Sequence, residues 1–177
     1  LMEIGVGEEI FRNGYILNTQ VFQDMHGKVL NTIDFSVLKK MFGQENITIH
    51  RANLHRTFLE NLKTNTIEFN KRCIRVEQNE HKVTAFFKDG TAFEAELLIA
   101  ADGINSPIRQ QLVPESKPRY AGYTCWRGIT ENNGRVKEFT STELWSTKGR
   151  FGMAPMKDGF IYWFACINTS PRKPTYQ

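Results

Sequence analysis

The segment 97–109 constrains the fold of this chain more than any other stretch. Its apolar run precedes the pair Asp102-Gly103, and Ser106 and Pro107 follow. A short apolar run that ends at a turn signal predicts a buried strand. Ser106 suits a helix N-cap, and Pro107 suits the first helical position, where its missing N–H costs nothing. We therefore expect a strand, a tight turn and a helix start, where backbone N–H groups attract anions.

Asp102 would stand at the end of that strand, where its carboxylate could accept a hydrogen bond from a ligand hydroxyl. An ordinary connection between a strand and a helix accounts for the same residues. The local pattern alone leaves both interpretations open.

The stretch AADGINSPIR, residues 100–109, resembles the GADGxxSxVR segment of class A flavoprotein monooxygenases, the aromatic hydroxylases related to para-hydroxybenzoate hydroxylase. Ala100 departs from the glycine that is usual there. In that family the segment lies near the pyrophosphate and ribose of FAD and is implicated in the use of NAD(P)H. The resemblance implies that Asp102 and Gly103 bind FAD, with Gly103 allowing a close backbone approach, and that Arg109 gives structural or electrostatic support.

A second cofactor ligand is expected near the start of a predicted amphipathic helix over 47–62, in which Leu54, Phe58 and Leu62 share a face. Arg51 lies at the start of this helix, where the helix dipole does not favour a cation. The position suits an arginine that binds a phosphate through its forked guanidinium, and a solvated arginine is the alternative. The phrase resembles the family motif hRxxLxxxL, whose arginine contacts FAD, which implies that Arg51 binds FAD.

The rest of the chain is predominantly strand-like. Leu1 to Asn13 resembles the end of a helical region, closed by Gly14, and a hairpin is expected around His26-Gly27. The predicted strands are Tyr15–Asp24, Lys28–Phe35, Thr66–Asn70, Cys73–Gln78, Val83–Lys88, Thr91–Ala95, Tyr120–Ile129, Glu143–Ser146, Arg150–Met156 and Gly159–Ala165.

The last of these strands carry candidate substrate residues. The stretch 120–129 resembles the Y.G....WRG strand that opens the substrate domain in many family members. Arg127 would face either a flavin or substrate cleft or the solvent. Phe160, Tyr162 and Phe164 share one strand face by their period of two. These rings could stack on an aromatic substrate or fill a core, and we predict Arg127, Phe160 and Tyr162 as pocket residues.

Composition excludes several other classes of protein. The 23 basic and 19 acidic residues are scattered, whereas nucleic-acid binding requires a basic patch. No apolar run approaches the roughly 18 residues of a membrane span. The cysteines Cys73, Cys125 and Cys166 are far apart and odd in number, which predicts neither a metal site nor a disulfide framework. A reduced, cytoplasmic compartment is the default expectation.

The resemblance covers nearly the whole chain but only the middle of the family. It implies an α/β protein (α+β within this stretch): part of a Rossmann-like FAD/NAD(P)-binding domain, residues 1–13 and 45–117, and part of an antiparallel β-sheet substrate domain, residues 14–44 and 118–177. A GxGxxG segment and a GDAAHxxxPxxGxG segment are missing from the sequence. We therefore expect a piece of a longer polypeptide that is inactive alone and binds FAD weakly.

The function implied is that of a flavoprotein monooxygenase, which uses FAD, NAD(P)H and O₂ to hydroxylate an aromatic or conjugated small molecule without a side-chain nucleophile. One alternative is an FAD-dependent dehydrogenase, cyclase or reductase of the same fold. Another is a truncated, non-catalytic β-rich binding domain. The sequence assigns no substrate identity and no oligomeric state.

Overall fold

The computed structural model describes residues 2–170, which form two compact units. The first unit comprises the described residues up to Leu62 and from Ala121 onwards, and the second comprises Lys63–Tyr120. The helices are α1 (Gly7–Asn13), α2 (Phe35–Phe42), α3 (Arg51–Glu60) and α4 (Pro107–Leu112). The strands are β1 (Tyr15–Leu17), β2 (Thr19–Asp24), β3 (Val29–Asp34), β4 (Asn46–Thr48), β5 (Cys73–Gln78), β6 (Val83–Phe87), β7 (Ala92–Ala95), β8 (Tyr123–Glu131), β9 (Thr140–Ser146), β10 (Gly149–Pro155) and β11 (Phe160–Asn168).

A six-stranded sheet in the order β3-β2-β9-β10-β11-β8 dominates the first unit. Its pairs are antiparallel except β2 with β9, which run parallel. The predicted hairpin at His26-Gly27 is confirmed as β2–β3, and the Asp24 carboxylate accepts hydrogen bonds from the backbone N–H groups of His26 and Lys28. The predicted single strand 15–24 is wrong, because the chain changes partner at Asn18 and β1 pairs with β4.

Glycines let aromatic rings lie flat across the centre of this sheet. Gly128 is paired with Trp163, and a Cβ on Gly128 would come within 2.7 Å of the indole. Gly152 is paired with Phe164, whose ring occupies the space of a Cβ at that position. The sheet therefore accommodates large rings on both faces because small residues stand opposite them.

Helix α3 begins at Arg51, four residues later than the predicted start of the helix, because 46–48 are committed to β4. Its most buried residue is Thr57, whose hydroxyl accepts a hydrogen bond from the Asn13 side chain at 3.3 Å. Leu62 lies beyond the helix end and is exposed. Of the predicted apolar stripe, Leu54 and Phe58 are partly buried, and the Asn13–Thr57 hydrogen bond joins α3 to the end of α1.

The second unit is a three-stranded meander, β5-β6-β7, covered by α4. The Gln111 side-chain amide donates to the Val76 carbonyl at 2.6 Å and accepts from the Val76 N–H at 3.0 Å. This pair of bonds fixes α4 beside β5, as a further strand would. The core consists of Val76, Val83, Ala85 and Ile108. The predicted turn at Asp89-Gly90 is confirmed.

Two predicted strands in this unit are wrong. Residues 66–70 are irregular, with a bend at 69–70, and Asn70 adopts the left-handed conformation with φ of 63°. The run 97–101 is not a strand and is not buried, since Leu97 is 74% and Ile99 80% exposed. The run 97–101 belongs to none of the sheets formed by the described residues. Its backbone groups therefore have no neighbouring strand with which to form hydrogen bonds.

Helix α2 was not predicted, although its ends carry clear signals. Asp34 caps it by accepting from the Ser36 N–H at 2.8 Å, and Gly43 ends it with φ of 66°. Within residues 2–170, the helices are too short or too polar to cross a bilayer.

Candidate functional site

A cavity of about 580 Å³ in the first unit brings together three of the predicted site residues. Arg51, Arg127 and Tyr162 line it, with apolar walls from the neighbouring strands. We call it the Arg51 cavity; its remaining lining residues are Ile47, Thr48, Ile49, His50, Gly128, Ile129 and Met156. A mostly apolar hollow with a few converging polar groups is typical of small-molecule sites.

Arg51 is positioned by the turn between β4 and α3. His50 is the N-cap of α3, and its Nδ1 accepts a hydrogen bond from the Ala52 N–H at 3.0 Å. Arg51 is therefore the first helical residue, and its side chain is exposed. Within residues 2–170 its guanidinium makes no ion pair, which leaves its donors available to an anion.

Arg127 and Tyr162 project from adjacent strands on one face of the sheet. Arg127 on β8 is paired with Phe164 on β11, and two residues further along β8 Ile129 is paired with Tyr162. A hydrogen bond to the Cys125 thiol and the nearby Tyr162 hydroxyl raise the pKa of Arg127 above its ordinary value, so it remains a cation. The Arg51 cavity thus carries two guanidinium groups and one phenol.

Phe160 does not line the Arg51 cavity. It is half exposed and lines a second hollow of about 380 Å³ with Arg56 and Asp158. His50 and Met156 border both hollows. The predicted set of pocket residues is therefore divided, with Arg127 and Tyr162 in one cavity and Phe160 in its neighbour.

A polar cluster on the same face of the sheet was not predicted. The Glu143 carboxylate accepts from the Trp145 indole N–H at 2.8 Å and from Arg150 at 3.2 Å. The Arg150 guanidinium also lies 5.7 Å from the centre of the Phe164 ring. The sequence signal that could have indicated this cluster is the two-residue turn at 147–148. The turn sets the register of the hairpin, with Trp145 opposite Arg150 and Glu143 opposite Gly152.

The predicted turn of the second unit forms as expected, although the strand before it does not. Gly103 has φ of 84° and accepts a hydrogen bond from the Ser106 N–H at 3.1 Å. Ser106 caps α4 by accepting from the Arg109 N–H at 2.9 Å, and Pro107 is the first helical residue. Asp102 is exposed, and its carboxylate has no hydrogen-bond partner in the described part of the chain.

Arg109 folds back onto this turn. Its guanidinium donates to the Ile104 carbonyl oxygen, while its Nε is buried without a partner among the described residues. The predicted supporting role of Arg109 has this contact as its physical basis. Arg51 belongs to the first unit and Asp102 to the second, so a joint action of the two on one ligand stays a prediction.

The residues present fit the FAD that the resemblance implies. Arg51 has an unpaired guanidinium suited to phosphate oxygens, and the apolar wall of its cavity suits a planar ring. In the second unit, a Cβ on Gly103 would meet no atom within 4 Å, so a ligand can approach the backbone there.

Comparison with known proteins supports FAD as the cofactor of this family. Residues 1–175 match a protein family described as an FAD binding domain. The chain is 31% identical over 159 residues to an Aurachin C monooxygenase/isomerase of Stigmatella aurantiaca, covering 90% of this chain and 40% of that protein. It is 32% identical over 138 residues to a 3-amino-4-hydroxybenzoate 2-monooxygenase of Streptomyces cremeus, covering 76% of this chain and 35% of that protein.

The fold is similar to that of Klebsiella pneumoniae HpxO complexed with FAD and uric acid, with a TM-score of 0.84 and 26% identity over 94% of this chain and 44% of that one. This likeness confirms the predicted α/β fold class. The chain spans less than half the length of each of these relatives. On these grounds the chain belongs to the FAD-binding-domain family of class A flavoprotein monooxygenases.

Proposed function

We propose that the protein carrying this chain is an FAD-dependent monooxygenase that hydroxylates an aromatic or heterocyclic small molecule, with NAD(P)H as co-substrate. The supporting observation is the Arg51 cavity, in which Arg51, Arg127 and Tyr162 converge within one unit of an FAD-binding family member. Two relatives are named as monooxygenases, whereas nothing favours a dehydrogenase, cyclase or reductase, or a non-catalytic binding domain.

In this proposal Arg51, Asp102 and Gly103 hold the cofactor. Arg51 donates hydrogen bonds to phosphate oxygens, Asp102 accepts from a ribose hydroxyl, and Gly103 allows close approach. FAD supplies the redox chemistry that activates O₂ when it is bound. The side chains of this chain bind, orient and exclude water, and none acts as a nucleophile.

Arg127 and Tyr162 serve the substrate side of the proposed site. The guanidinium of Arg127 stabilises negative charge on the substrate, and the Tyr162 hydroxyl can donate to a substrate oxygen. Phe160 borders the neighbouring hollow, where it would contact only a substrate that extends into both cavities.

The proposal also divides the chain into two functional parts. We assign residues 1–13 and 45–117 to cofactor binding, and residues 14–44 and 118–177 to the substrate sheet. A reduced, cytoplasmic environment completes the proposal, because the three cysteines are far apart in the sequence and odd in number.

The first experiment compares FAD binding of two arginine variants in the complete gene product. Arg51→Ala should weaken FAD binding at least about tenfold, because a hydrogen bond to a charged group contributes about 1.5–3 kcal/mol. Arg135→Ala, at an exposed loop position, is the matched control and should leave binding unchanged. Flavin fluorescence titration measures both, and equal affinity of the two variants would refute the role of Arg51.

The second experiment tests the reaction. The complete gene product should consume O₂ in the presence of NADH or NADPH, and consumption should rise when an aromatic acid or heterocycle is added. Product analysis should find one added oxygen atom. Flavin reduction without oxygen incorporation into any substrate of this class would favour a dehydrogenase or reductase instead.

A further inference from the structure

Two thiols lie opposite each other in the main sheet. Cys125 on β8 is paired with Cys166 on β11, in a register that runs without a shift from one end of the strand pair to the other. Both cysteines are free, Cys125 half-buried and Cys166 buried. The third cysteine, Cys73, lies in the other unit and serves as an internal control.

The backbone hydrogen bonds define which kind of pair this is. At one end of the ladder the Thr169 N–H donates to the Gly122 carbonyl at 3.1 Å, and at the other the Asn132 N–H donates to the Gly159 carbonyl at 2.7 Å. Counting alternate pairs inward from either bond makes the Cys125–Cys166 pair non-hydrogen-bonded. Such pairs have Cα atoms about 4.5 Å apart and the closest side chains of an antiparallel sheet.

This spacing suits a covalent bond between the two sulfur atoms. Disulfides span Cα separations of about 4.4–6.8 Å, so the backbone of the pair already meets the requirement. β8 is also the edge strand of its sheet and can adjust its position at lower cost than an internal strand.

Two arginines flank the thiols. Arg127 lies two residues from Cys125 on the same face of β8, and Arg150 on β10 is paired with Cys166. A guanidinium group therefore lies on each side of the thiol pair, Arg127 on β8 and Arg150 on β10. The Cys125 sulfur also lies 3.6 Å from the Trp126 carbonyl oxygen, a weak contact that does not replace the arginine.

The surroundings give the two thiols different tendencies to ionise. Burial raises the pKa of Cys125, but hydrogen bonds from Arg127 and Cys166 and the charges of Arg127 and Arg150 outweigh it, so the pKa is lowered overall. Burial and the neighbouring Cys125 raise the pKa of Cys166, against the opposing effect of Arg150. Cys125 is thus both the less buried of the two thiols and the one whose pKa is lowered.

A small oxidant has room beside one of the two thiols. Cys166, Arg150 and Tyr123 line a hollow of about 270 Å³, and Cys125 is the less buried of the two thiols. Hydrogen peroxide is smaller than this space, and its reaction with thiolates requires no cofactor.

We propose that Cys125 and Cys166 form an oxidant-reactive dithiol that hydrogen peroxide converts into an intramolecular disulfide. The Cys125 thiolate attacks one peroxide oxygen, the O–O bond breaks, and Cys125 becomes a sulfenic acid as hydroxide leaves. Cys166 loses its proton to solvent and its sulfur attacks the Cys125 sulfur. The S–O bond breaks, hydroxide leaves and the S–S bond forms. Two thiols and one peroxide thus give one disulfide and two waters.

The test uses the full chain with Cys73→Ser, which leaves only the two thiols of interest. Treatment with equimolar peroxide should reduce the thiols titrated in denaturant from two to none. The intact mass should fall by two hydrogens, and a non-reducing digest should contain the peptides of Cys125 and Cys166 joined together. Dithiothreitol should reverse all three changes. A mass gain of oxygen without loss of hydrogen, or a disulfide between two chains, would overturn the proposal.

Two single variants identify the attacking sulfur. In Cys166→Ser, peroxide should leave a sulfenic acid on Cys125 that dimedone captures, because the resolving thiol is gone. In Cys125→Ser, the remaining Cys166 should react about tenfold more slowly, because it is the less ionised and less accessible thiol. Equal rates in the two variants would overturn the assignment of Cys125. This proposal is independent of FAD binding, so it can fail while the monooxygenase assignment holds.

Discussion

Two apolar runs of this chain have different surroundings. β11 lies between β10 and β8 and forms backbone pairs along both edges. The run 97–101 pairs with no described strand, and Leu97 and Ile99 are exposed. The difference teaches that an apolar run becomes a strand only where neighbours accept its hydrogen bonds, since an unpaired backbone keeps its bonds with water instead.

The largest expected effect comes from placing a charge in each run. Ile161→Lys buries an ammonium group on β11 and should lower the free energy of unfolding by about 3 kcal/mol or more. Ile99→Lys, at an exposed position, should change it by no more than about 0.5 kcal/mol.

Urea unfolding followed by circular dichroism measures both substitutions. Tryptophan fluorescence adds a probe of the first unit alone, because Trp126, Trp145 and Trp163 all lie in it. If Ile99→Lys destabilises the chain as much as Ile161→Lys, the contrast between the paired and unpaired runs is wrong.

A smaller effect is expected at the helix cap that follows the unpaired run. Ser106→Ala removes the hydroxyl that accepts from the Arg109 N–H and should cost about 1 kcal/mol of unfolding free energy. Ser116→Ala, at a half-buried serine outside the helices and strands, is the control and should have a much smaller effect. Unfolding in urea, followed by circular dichroism, provides the comparison. Equal stabilities of the two variants would mean that the turn holds its shape without the cap.

The smallest expected effect is on the pH dependence of stability, through a carboxylate on the surface of the second unit. A hydrogen bond from Lys71, with further bonds from Thr91, holds the pKa of the Asp89 carboxyl well below its ordinary value. Because the folded pKa is depressed, the stabilisation is complete above the ordinary carboxyl pKa and is lost as the pH falls towards the folded value.

Asp89→Asn should therefore lower stability slightly near neutral pH and flatten its decline in acid. Glu115→Gln, an exposed carboxyl outside the ion pairs of the described residues, is the matched control and should leave the profile unchanged. Thermal unfolding across the acid range gives both curves. A wild-type slope in Asp89→Asn would exclude the Lys71–Asp89 pair as its source.

Local signals predicted local features well. Ser106 and Pro107 define the start of α4, and Asp89-Gly90 the turn between β6 and β7, because caps and turns are decided by residues within a few positions. The resemblance at 100–109 led to the family that the comparisons confirm. The missed helix α2 had equally local signals at Asp34 and Gly43.

Features that depend on distant partners were not predictable in the same way. The parallel pairing of β2 with β9 joins residues more than a hundred positions apart, and no pattern in either strand names the other. The Cys125–Cys166 pair required the register of two whole strands. Three cysteines far apart in sequence gave no indication that two of them face each other.

The sequence by itself determined the caps, the tight turns, the alternation of side chains along strands and the family to which the chain belongs. The tertiary structure alone decided which strands pair, which apolar run stays unpaired and which side chains share the Arg51 cavity. The physical reason is range: caps and turns are closed by bonds between near neighbours, whereas a sheet or a cavity is closed by groups that only the folded chain brings together.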